Sequence, residues 1–430
     1  MEAEDLILIS VDDHICEPAE MFVAHLPARL RDRAPRVVTD PDGNQQWWYG
    51  EQMGRNLGLN AVAGKPPEMY NVNPTRYDQM RPGCYDVHER VRDMSAGGQL
   101  AGLNFPNWPG FAGQVLSEGP DRSVNLAMIR AYNDWHVDEW CATHPDRFIP
   151  CGIVPLFDAD EAALEVRRLA AKGCRAISFS ENPATLGVPS LHTGFWDPLF
   201  AAASDEGTVV CCHVGSSSKR ASTTADAPPS VPMSLSSLMS MYTFGDLLWS
   251  DIWRRFPDLT ISLSEGDIGW IPYLLQRAEH VQRRHVGWTG HQFPERSNSP
   301  TEVFRRHLIC CFIADDVGIE LLHHFNIDNV CWESDYPHSD SFWPEAPERL
   351  SQLFAGVDEA VVDRICHGNA MRHFAFDPFA TRTRDSCTVA ALRAEAADVD
   401  TVTRVGRAPD QSDRDYFRRL SGPPTGQTSS

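Results

Sequence analysis

Ionisable side chains of the types that bind metal ions recur where short apolar runs of this sequence end. Seven of them follow five such runs: Asp12, His14, Glu181, His213, Glu265, Asp335 and His338. Carboxylate oxygens and imidazole nitrogens are common ligands of zinc, manganese and iron. Because burying several carboxylates together without a cation is costly, we expect the chain to bind one or two metal ions.

The spacing of the first two candidates supports this expectation. Asp12 and His14 lie two residues apart at the end of an apolar run. Alternate residues of a β-strand point to the same face, so both side chains would face one side. Either residue alone is more simply explained as a helix cap or a buried polar group. The prediction therefore depends on the convergence of several strand ends.

Eight apolar runs are available to position these side chains. They are Leu6–Val11, Leu100–Phe105, Phe148–Leu156, Arg175–Phe179, Thr208–His213, Leu259–Ser264, His307–Ala314 and Asn329–Trp332. Their lack of polar alternation is typical of parallel strands that are covered on both faces. Helical patterns such as Asp158–Lys172 and Trp196–Glu206 separate them, and each of these two ends before a glycine. We predict an α/β protein with a (β/α)8 TIM barrel, whose active site lies at the carboxyl ends of its strands.

Three segments exceed this repeating unit. A long insertion after the first strand, Glu17–Met94, is predicted to cap the barrel mouth, and Ser216–Phe244 after the fifth strand is predicted to form a flexible lid. We expect residues 1–376 to form the barrel with its insertion 17–94. Residues 377–430 are expected to be a polar and poorly ordered tail.

Composition and charge exclude several classes of protein. A net charge of −21 argues against a nucleic-acid surface and against docking on anionic lipid. Neither a membrane span nor a basic signal-peptide start is visible in the sequence, so we expect a cytoplasmic protein. The twelve cysteines show no Cys-x-x-Cys spacing, which favours buried reduced thiols over a zinc cluster.

Several motifs together resemble the amidohydrolase-related family (amidohydrolase family 2). They are Ser-Val-Asp-Asp-His-Ile-Cys-Glu-Pro, Phe-Ser-Glu-Asn-Pro, Cys-His-Val-Gly-Ser, Ser-Glu-Gly-Asp-Ile-Gly-Trp-Ile-Pro, Glu-Ser-Asp-Tyr-Pro-His and His-Gly-Asn-Ala, from about Leu6 to Phe376. The resemblance implies a metal-dependent hydrolase or nonoxidative decarboxylase on a (β/α)8 barrel. It also implies metal ligands on the first, fifth and eighth strands, which are Asp12, His14, His213 and Asp335 here.

The sequence departs from the hydrolase pattern of that family, with Asp12 in place of a histidine, Glu181 in place of a bridging lysine and Glu265 in place of a histidine. Four carboxylates with two or three histidines are typical of di-iron and di-manganese proteins. In this ligand set the sequence resembles a minority branch of the family, the dinuclear iron or iron–manganese oxygenases, which implies hydroxylation of C–H bonds. We therefore predict a dinuclear iron or iron–manganese monooxygenase that hydroxylates a C–H bond of a small carboxylated substrate. Asp12, His14 and Asp335 would hold one ion, His213, Glu265 and His338 the other, and Glu181 would bridge them.

This interpretation carries further expectations. An apolar pocket would be formed by Trp47, Trp48, Tyr49, Trp108 and Phe111, although packing of the cap explains these residues equally well. Electrons would come from a partner protein, since no flavin or iron–sulfur motif is visible. We also expect a homo- or hetero-oligomer. Glu17 is kept as a weak additional ligand candidate.

Two alternatives stay open. In the first, the chain binds one zinc or manganese ion and acts as a hydrolase or nonoxidative decarboxylase, with Asp335 as acid/base and Glu265 orienting the substrate. In the second, it is a non-catalytic, metal-supporting subunit of a hetero-oligomer. The full set of ligands argues against the second alternative. In both enzyme interpretations Glu265 and Asp335 are the catalytic candidates.

Overall fold

A computed structural model describes residues 1–50, 52–58, 60–71, 74–119, 121–224, 226–290, 299–406 and 408–415. Its strands are β1 (Leu8–His14), β2 (Arg36–Thr39), β3 (Gln45–Tyr49), β4 (Gln52–Asn56), β5 (Gln99–Phe105), β6 (Phe148–Ile149), β7 (Gly152–Ile153), β8 (Ala176–Ser180), β9 (Val209–His213), β10 (Ile261–Ser264), β11 (Leu308–Phe312) and β12 (Val330–Trp332). All pairs outside β2–β4 are parallel.

The α-helices alternate with these strands along the chain. They are α1 (Met21–His25), α2 (Val87–Ala96), α3 (Gln114–Ser117), α4 (Arg122–Trp135), α5 (Ala159–Ala171), α6 (Asp197–Glu206), α7 (Ser230–Ser234), α8 (Ser237–Leu248), α9 (Ile252–Arg255), α10 (Ile271–Thr289), α11 (Pro300–His307), α12 (Asp316–Glu320), α13 (Ala346–Leu353), α14 (Glu359–Asp363), α15 (Asn369–His373) and α16 (Val389–Glu395). No helix in the described part of the chain is long and apolar enough to cross a membrane.

The parallel strands form a (β/α)8 barrel, as predicted. Hydrogen-bonded neighbours run in the order β1-β5-β6 and β7-β8-β9-β10-β11-β12. The predicted third strand, Phe148–Leu156, is divided into β6 and β7 around Pro150 and Cys151, because proline cannot donate to a ladder. The ring closes after β12, where the Asp335 N–H donates to the Asp12 carbonyl oxygen at 2.8 Å and the His14 N–H donates to that of Tyr336 at 2.7 Å.

Burial on both faces explains why the strand sequences do not alternate between apolar and polar residues. Cys211 of β9 shares one apolar cluster with Ile309 and Cys331 of other strands. The next residue, Cys212, packs in a second cluster with helix residues such as Leu199. All twelve cysteines are buried and free, as the sequence predicts.

The insertion and the tail differ in part from the predictions. The last part of the predicted insertion forms α2, which precedes β5 as a barrel helix, while β2–β4 form a separate antiparallel sheet. The predicted lid contains α7 and most of α8. Beyond residue 376 the chain continues into α16, whose Val389 and Leu392 are fully buried, so the expected disordered tail does not begin there. Residues 416–430 lie outside the described part.

Candidate metal centre

Three of the predicted ligands meet at the carboxyl ends of β1 and β9. The His213 Nε2 atom lies 3.1 Å from Asp12 Oδ2, and the His14 Nε2 atom lies 3.4 Å from Asp12 Oδ1. The two imidazole Nε2 atoms are 3.2 Å apart. All three side chains are buried, and their ligand atoms lie within 4.8 Å of one another. One cation could therefore contact all three.

The segment after β12 brings two more predicted ligands to the same place. Asp335 Oδ1 lies 3.2 Å from His14 Nε2 and 2.9 Å from His338 Nδ1. Asp335 has a φ of 58°, a left-handed conformation that is uncommon outside glycine and that often marks functional sites. The His14 and His338 rings are stacked with their centroids 3.9 Å apart. His14 thus lies close to candidate ligands from the ends of both the first and the eighth barrel strand.

The unpartnered atoms of this cluster fit a bound cation. Neither carboxylate oxygen of Asp12 or of Asp335 receives a hydrogen bond of good geometry from the described residues, although imidazole nitrogens lie close to both groups. Burial raises the pKa of Asp12 well above its ordinary value, and the nearby Asp335 raises it further. Burial also raises the pKa of Asp335, but His338 and His14 outweigh it and hold that pKa low. A divalent ion would compensate such buried carboxylates.

Glu265 approaches the cluster from the end of β10. Its backbone is also left-handed, with a φ of 58°. Its Oε2 atom lies 3.8 Å from His213 Nδ1. Its carboxylate also lies close to those of Asp335 and Asp340, with ligand atoms within 4.8 Å of one another. The side chain keeps 23% of its surface exposed, whereas Asp12 and His213 are fully buried. Glu265 is therefore placed at the boundary between the ligand cluster and the open cavity above it.

Sequence reasoning missed Glu333, a fully buried carboxylate two residues before Asp335. Both of its oxygens accept the backbone N–H of Glu265, at 3.1 and 3.2 Å. Burial raises its pKa well above the ordinary value. Glu333 directly follows the predicted strand Asn329–Trp332, so its position at a strand end was the signal that could have identified it.

Two other candidate carboxylates accept hydrogen bonds from neighbouring loops. Glu181 Oε1 accepts the Gly215 N–H at 2.9 Å and the Ser217 hydroxyl at 2.6 Å, whereas its Oε2 atom is buried without a hydrogen-bond partner among the described residues. Glu181 joins none of the described ligand groups. Glu17 accepts the backbone N–H groups of Asn107 at 2.9 Å and Trp108 at 3.0 Å, so each of its carboxylate oxygens already has a hydrogen-bond donor. Burial raises the pKa of Glu17 to about 7 and that of Glu181 to about 7.

A cavity of about 320 Å³ opens beside the cluster. Among the aromatic residues predicted to form a pocket, only Phe111 lines this cavity, and its ring packs 4.3 Å from that of His213. Trp47 and Trp108 are instead fully buried in the cap, 5.1 Å apart. The remaining wall comes from the insertion, the loop after β9, the lid, the loop after β12 and Glu265. A small ligand in this cavity would contact both the ligand cluster and the lid.

Solved structures with a similar fold agree with the barrel described above. No curated protein matches the chain. Its structure is similar to that of an amidohydrolase from Mycobacterium avium subsp. paratuberculosis K-10, with a TM-score of 0.67 and 20% identity over 86% of this chain and 99% of that chain. It is also similar to the 5-carboxyvanillate decarboxylase of Sphingomonas paucimobilis, with a TM-score of 0.59 and 20% identity over 86% of this chain and 100% of that chain.

A third similar structure is 5-carboxyvanillate decarboxylase from Novosphingobium aromaticivorans DSM 12444, in complex with manganese and 4-hydroxy-3-methoxy-5-nitrobenzoic acid. Its TM-score is 0.62, with 17% identity over 87% of this chain and 98% of that chain. At such identities the likeness concerns the fold. The comparison with protein families concerns the sequence itself, and residues 37–376 match the amidohydrolase family. That match covers well over half of the sequence, and the chain therefore belongs to the amidohydrolase family of metal-dependent enzymes.

Proposed function

We propose that this protein is a nonoxidative decarboxylase of a small organic acid, dependent on one divalent metal ion held by Asp12, His14, His213 and Asp335. The observation that carries the proposal is the convergence of these four side chains beside a cavity into which Glu265 reaches. Manganese is the first candidate ion, because a decarboxylase of similar fold holds it. Zinc is the second.

The oxygenase prediction from the sequence has weaker support. It requires two ions with Glu181 between them, but Glu181 Oε1 accepts hydrogen bonds from the loop after β9. Two of the described ligand groups share His14, whose Nε2 atom lies 3.4 Å from Asp12 Oδ1 and 3.2 Å from Asp335 Oδ1. Because one imidazole nitrogen binds one ion, this sharing favours one ion over two. The decarboxylases of similar fold favour the same interpretation.

The chemistry needs no oxidant. The bond between the substrate carbon and its carboxylate carbon breaks, the electron pair stays on the substrate carbon and takes up a proton, and carbon dioxide leaves. A bound divalent ion would polarise a substrate oxygen and fix the acid in place. Glu265 is positioned to hold the proton at a carboxyl oxygen on the cavity side of the cluster, and solvent would return the proton after each turnover.

The surrounding residues keep the reacting end dry and ordered. Phe111 packs against the rings of both His14 and His213, at 4.9 and 4.3 Å. The guanidinium of the buried Arg90 donates to the His14 carbonyl oxygen and to that of Gly83. These contacts fix the ligand-bearing end of β1, and a fixed geometry is what efficient positioning of a substrate requires.

The test is a reaction balance on protein reconstituted with manganese, zinc or iron(II). We would incubate each form with a panel of hydroxybenzoic acids, with and without oxygen, and measure carbon dioxide, oxygen and bound metal. We expect one ion per chain and one carbon dioxide per substrate consumed, at equal rates with and without oxygen. Oxygen uptake with an oxygenated product would overturn the proposal in favour of the oxygenase. Cleavage without carbon dioxide would overturn it in favour of a hydrolase.

A further inference from the structure

A lysine from the lid lines the cavity that holds the reacting end of the site. Lys219 lies six residues after His213, is half-buried, and lines the same cavity as Glu265 and His338. The chain has only three lysines in its 430 residues, and its net charge is −21. We propose that Lys219 binds a second acidic group of the substrate, on the side of the cavity away from the metal ligands. This inference rests on the proposed function and names the substrate class.

The ammonium group of Lys219 is available to bind an anion. In the described ranges it forms neither an ion pair nor a side-chain hydrogen bond. The other two lysines differ: Lys172 pairs with Asp134 and Asp138, and Lys65 is fully buried near Gly406. A lysine ammonium is strongly hydrated, and partial burial beside apolar side chains costs free energy unless an anion compensates it.

The distribution of charge in the cavity orients such a substrate. Glu265 and Asp340 line one part, next to the metal ligands, and would repel a free carboxylate there unless a metal ion binds it. Lys219 and the adjacent Arg220 line the same cavity, and Lys219 forms an ion pair with neither of these carboxylates in the described structure. A substrate with two acidic groups can therefore place one on the metal ion and the other on Lys219. A substrate with one acidic group can satisfy only one of these positions.

Most of the remaining lining is apolar, and it would contact the body of the substrate. The apolar part is formed by Phe111, Val214, Pro229, Pro232, Met233 and Met239, and the polar residues Asn60, Asn71, Ser236 and Ser339 complete it. The volume of about 320 Å³ is at the small end of the usual range for ligand sites. Flat apolar rings pack well against aromatic and methionine side chains. The substrate class that fits is a compact, preferably aromatic dicarboxylic acid, which keeps one carboxylate after the reaction.

Binding of matched probes tests the inference without turnover. The probes are benzoate, isophthalate, terephthalate and benzamide, titrated by calorimetry into the manganese-loaded protein. We expect the better of the two dicarboxylates to bind about tenfold more tightly than benzoate, because one additional charge-assisted contact forms. In the Lys219→Met variant this ratio should fall to about twofold or less, while the affinity for benzoate stays within about twofold of the wild type.

The matched control is Lys172→Met, which removes an ammonium from the surface of α5 and should leave the ratio unchanged. Thermal midpoints and metal content are measured for each variant, so that a folding defect is recognised. An unchanged ratio in Lys219→Met, an equal loss in Lys172→Met, or no binding of any carboxylate would overturn the inference. Lys219-dependent binding without release of carbon dioxide from any acid would overturn the proposed decarboxylase only.

Discussion

Glu333 and Glu265, which directly follow different strands of the barrel, are joined by a hydrogen bond that sets the direction of the catalytic candidate. The backbone N–H of Glu265 donates to both carboxylate oxygens of Glu333, at 3.1 and 3.2 Å. Glu265 has a left-handed backbone at that point, with a φ of 58°. A non-glycine residue keeps this conformation only when its surroundings hold it there. Glu333 is therefore a positioning residue that acts through Glu265.

A double-mutant cycle tests this relationship. We expect Glu333→Ala to lower kcat by about ten- to a hundredfold, because small misplacements of a catalytic group are costly. In a Glu265→Gln background the same change should lower kcat by less than about twofold, since there is no proton donor left to position. Glu333→Gln keeps an oxygen that accepts the Glu265 N–H and should recover most of the loss. The measurement is kcat and KM for all variants.

Bound manganese is the control in this cycle, and its ratio to protein should stay at about one per chain in every variant. If Glu333→Ala reduces kcat equally in both backgrounds, Glu333 supports the fold generally and does not act through Glu265. A loss of metal in Glu333→Ala would lead to the same conclusion, because Glu333 lies two residues before Asp335.

Metal binding should distinguish Asp12 from Glu181. Asp12 lies 3.1 Å from His213 Nε2 and has no hydrogen bonds to its carboxylate from the described residues. Asp12→Asn is expected to weaken manganese binding by at least about a hundredfold, more than typical losses of residues that only orient ligands. Glu181→Gln should keep one ion per chain. Dialysis followed by elemental analysis measures both. Two ions in the wild type and one in Glu181→Gln would restore the dinuclear interpretation.

The sequence predicted the barrel because its strands are buried on both faces, which leaves uninterrupted apolar runs such as Val209–His213. It predicted that the candidate ligands Asp12, His14 and Asp335 would come together, because strand ends in a barrel meet at one rim. It could not predict where Glu181 points. The partners of Glu181 are Gly215 and Ser217 in the loop after β9, and loop conformation leaves no periodic signal.

Glu17 illustrates a second limit of the sequence. Its position next to the metal motif made it only a weak ligand candidate, and the structure shows that its carboxylate accepts the backbone N–H groups of Asn107 and Trp108. Backbone donors have no residue type and cannot be read from a sequence. Cys211 and Cys212 show the opposite case, because their apolar surroundings alone predicted buried thiols. Composition predicts burial better than it predicts hydrogen-bond partners.

Arg90 should be important for stability, although its guanidinium donates its hydrogen bonds to backbone carbonyl oxygens and not to a carboxylate. It donates to the carbonyl oxygens of Gly83, at 2.6 Å, and of His14, and it lies over the Tyr336 ring at 4.5 Å. Arg90→Met leaves two buried carbonyls without these donors, and we expect a loss of about 2–4 kcal/mol in the free energy of unfolding. Urea unfolding measures it.

The matched control for Arg90 is its neighbour on α2, Arg92, which is 43% exposed and pairs with Asp398 at 3.0 Å. Exposed ion pairs contribute little, so Arg92→Met should leave the free energy of unfolding nearly unchanged. Equal losses in both variants would show that α2 responds to any change of charge, and would contradict the proposed role of Arg90.

His136 should make the fold sensitive to acid at a site remote from the ligand cluster. It is fully buried, and its Nε2 atom accepts the Cys151 N–H at 3.3 Å. Burial lowers its pKa from 6.5 to about 3. Below pH 6.5 the His136 imidazole binds a proton in the unfolded chain, whereas in the folded protein it stays neutral until about pH 3. Stability from this group is therefore present above pH 6.5 and lost as the pH falls, by up to about 1.4 kcal/mol per pH unit.

His136→Gln isolates this contribution, because glutamine offers an oxygen to the Cys151 N–H and does not titrate. The free energy of unfolding is measured for both proteins from pH 4 to pH 8, and the variant is subtracted from the wild type. Groups that titrate in both proteins cancel in this difference. We expect the difference to be flat above pH 7 and to fall below pH 6. A difference that stays flat down to pH 4 would mean that His136 is protonated in the folded protein as readily as in the unfolded chain.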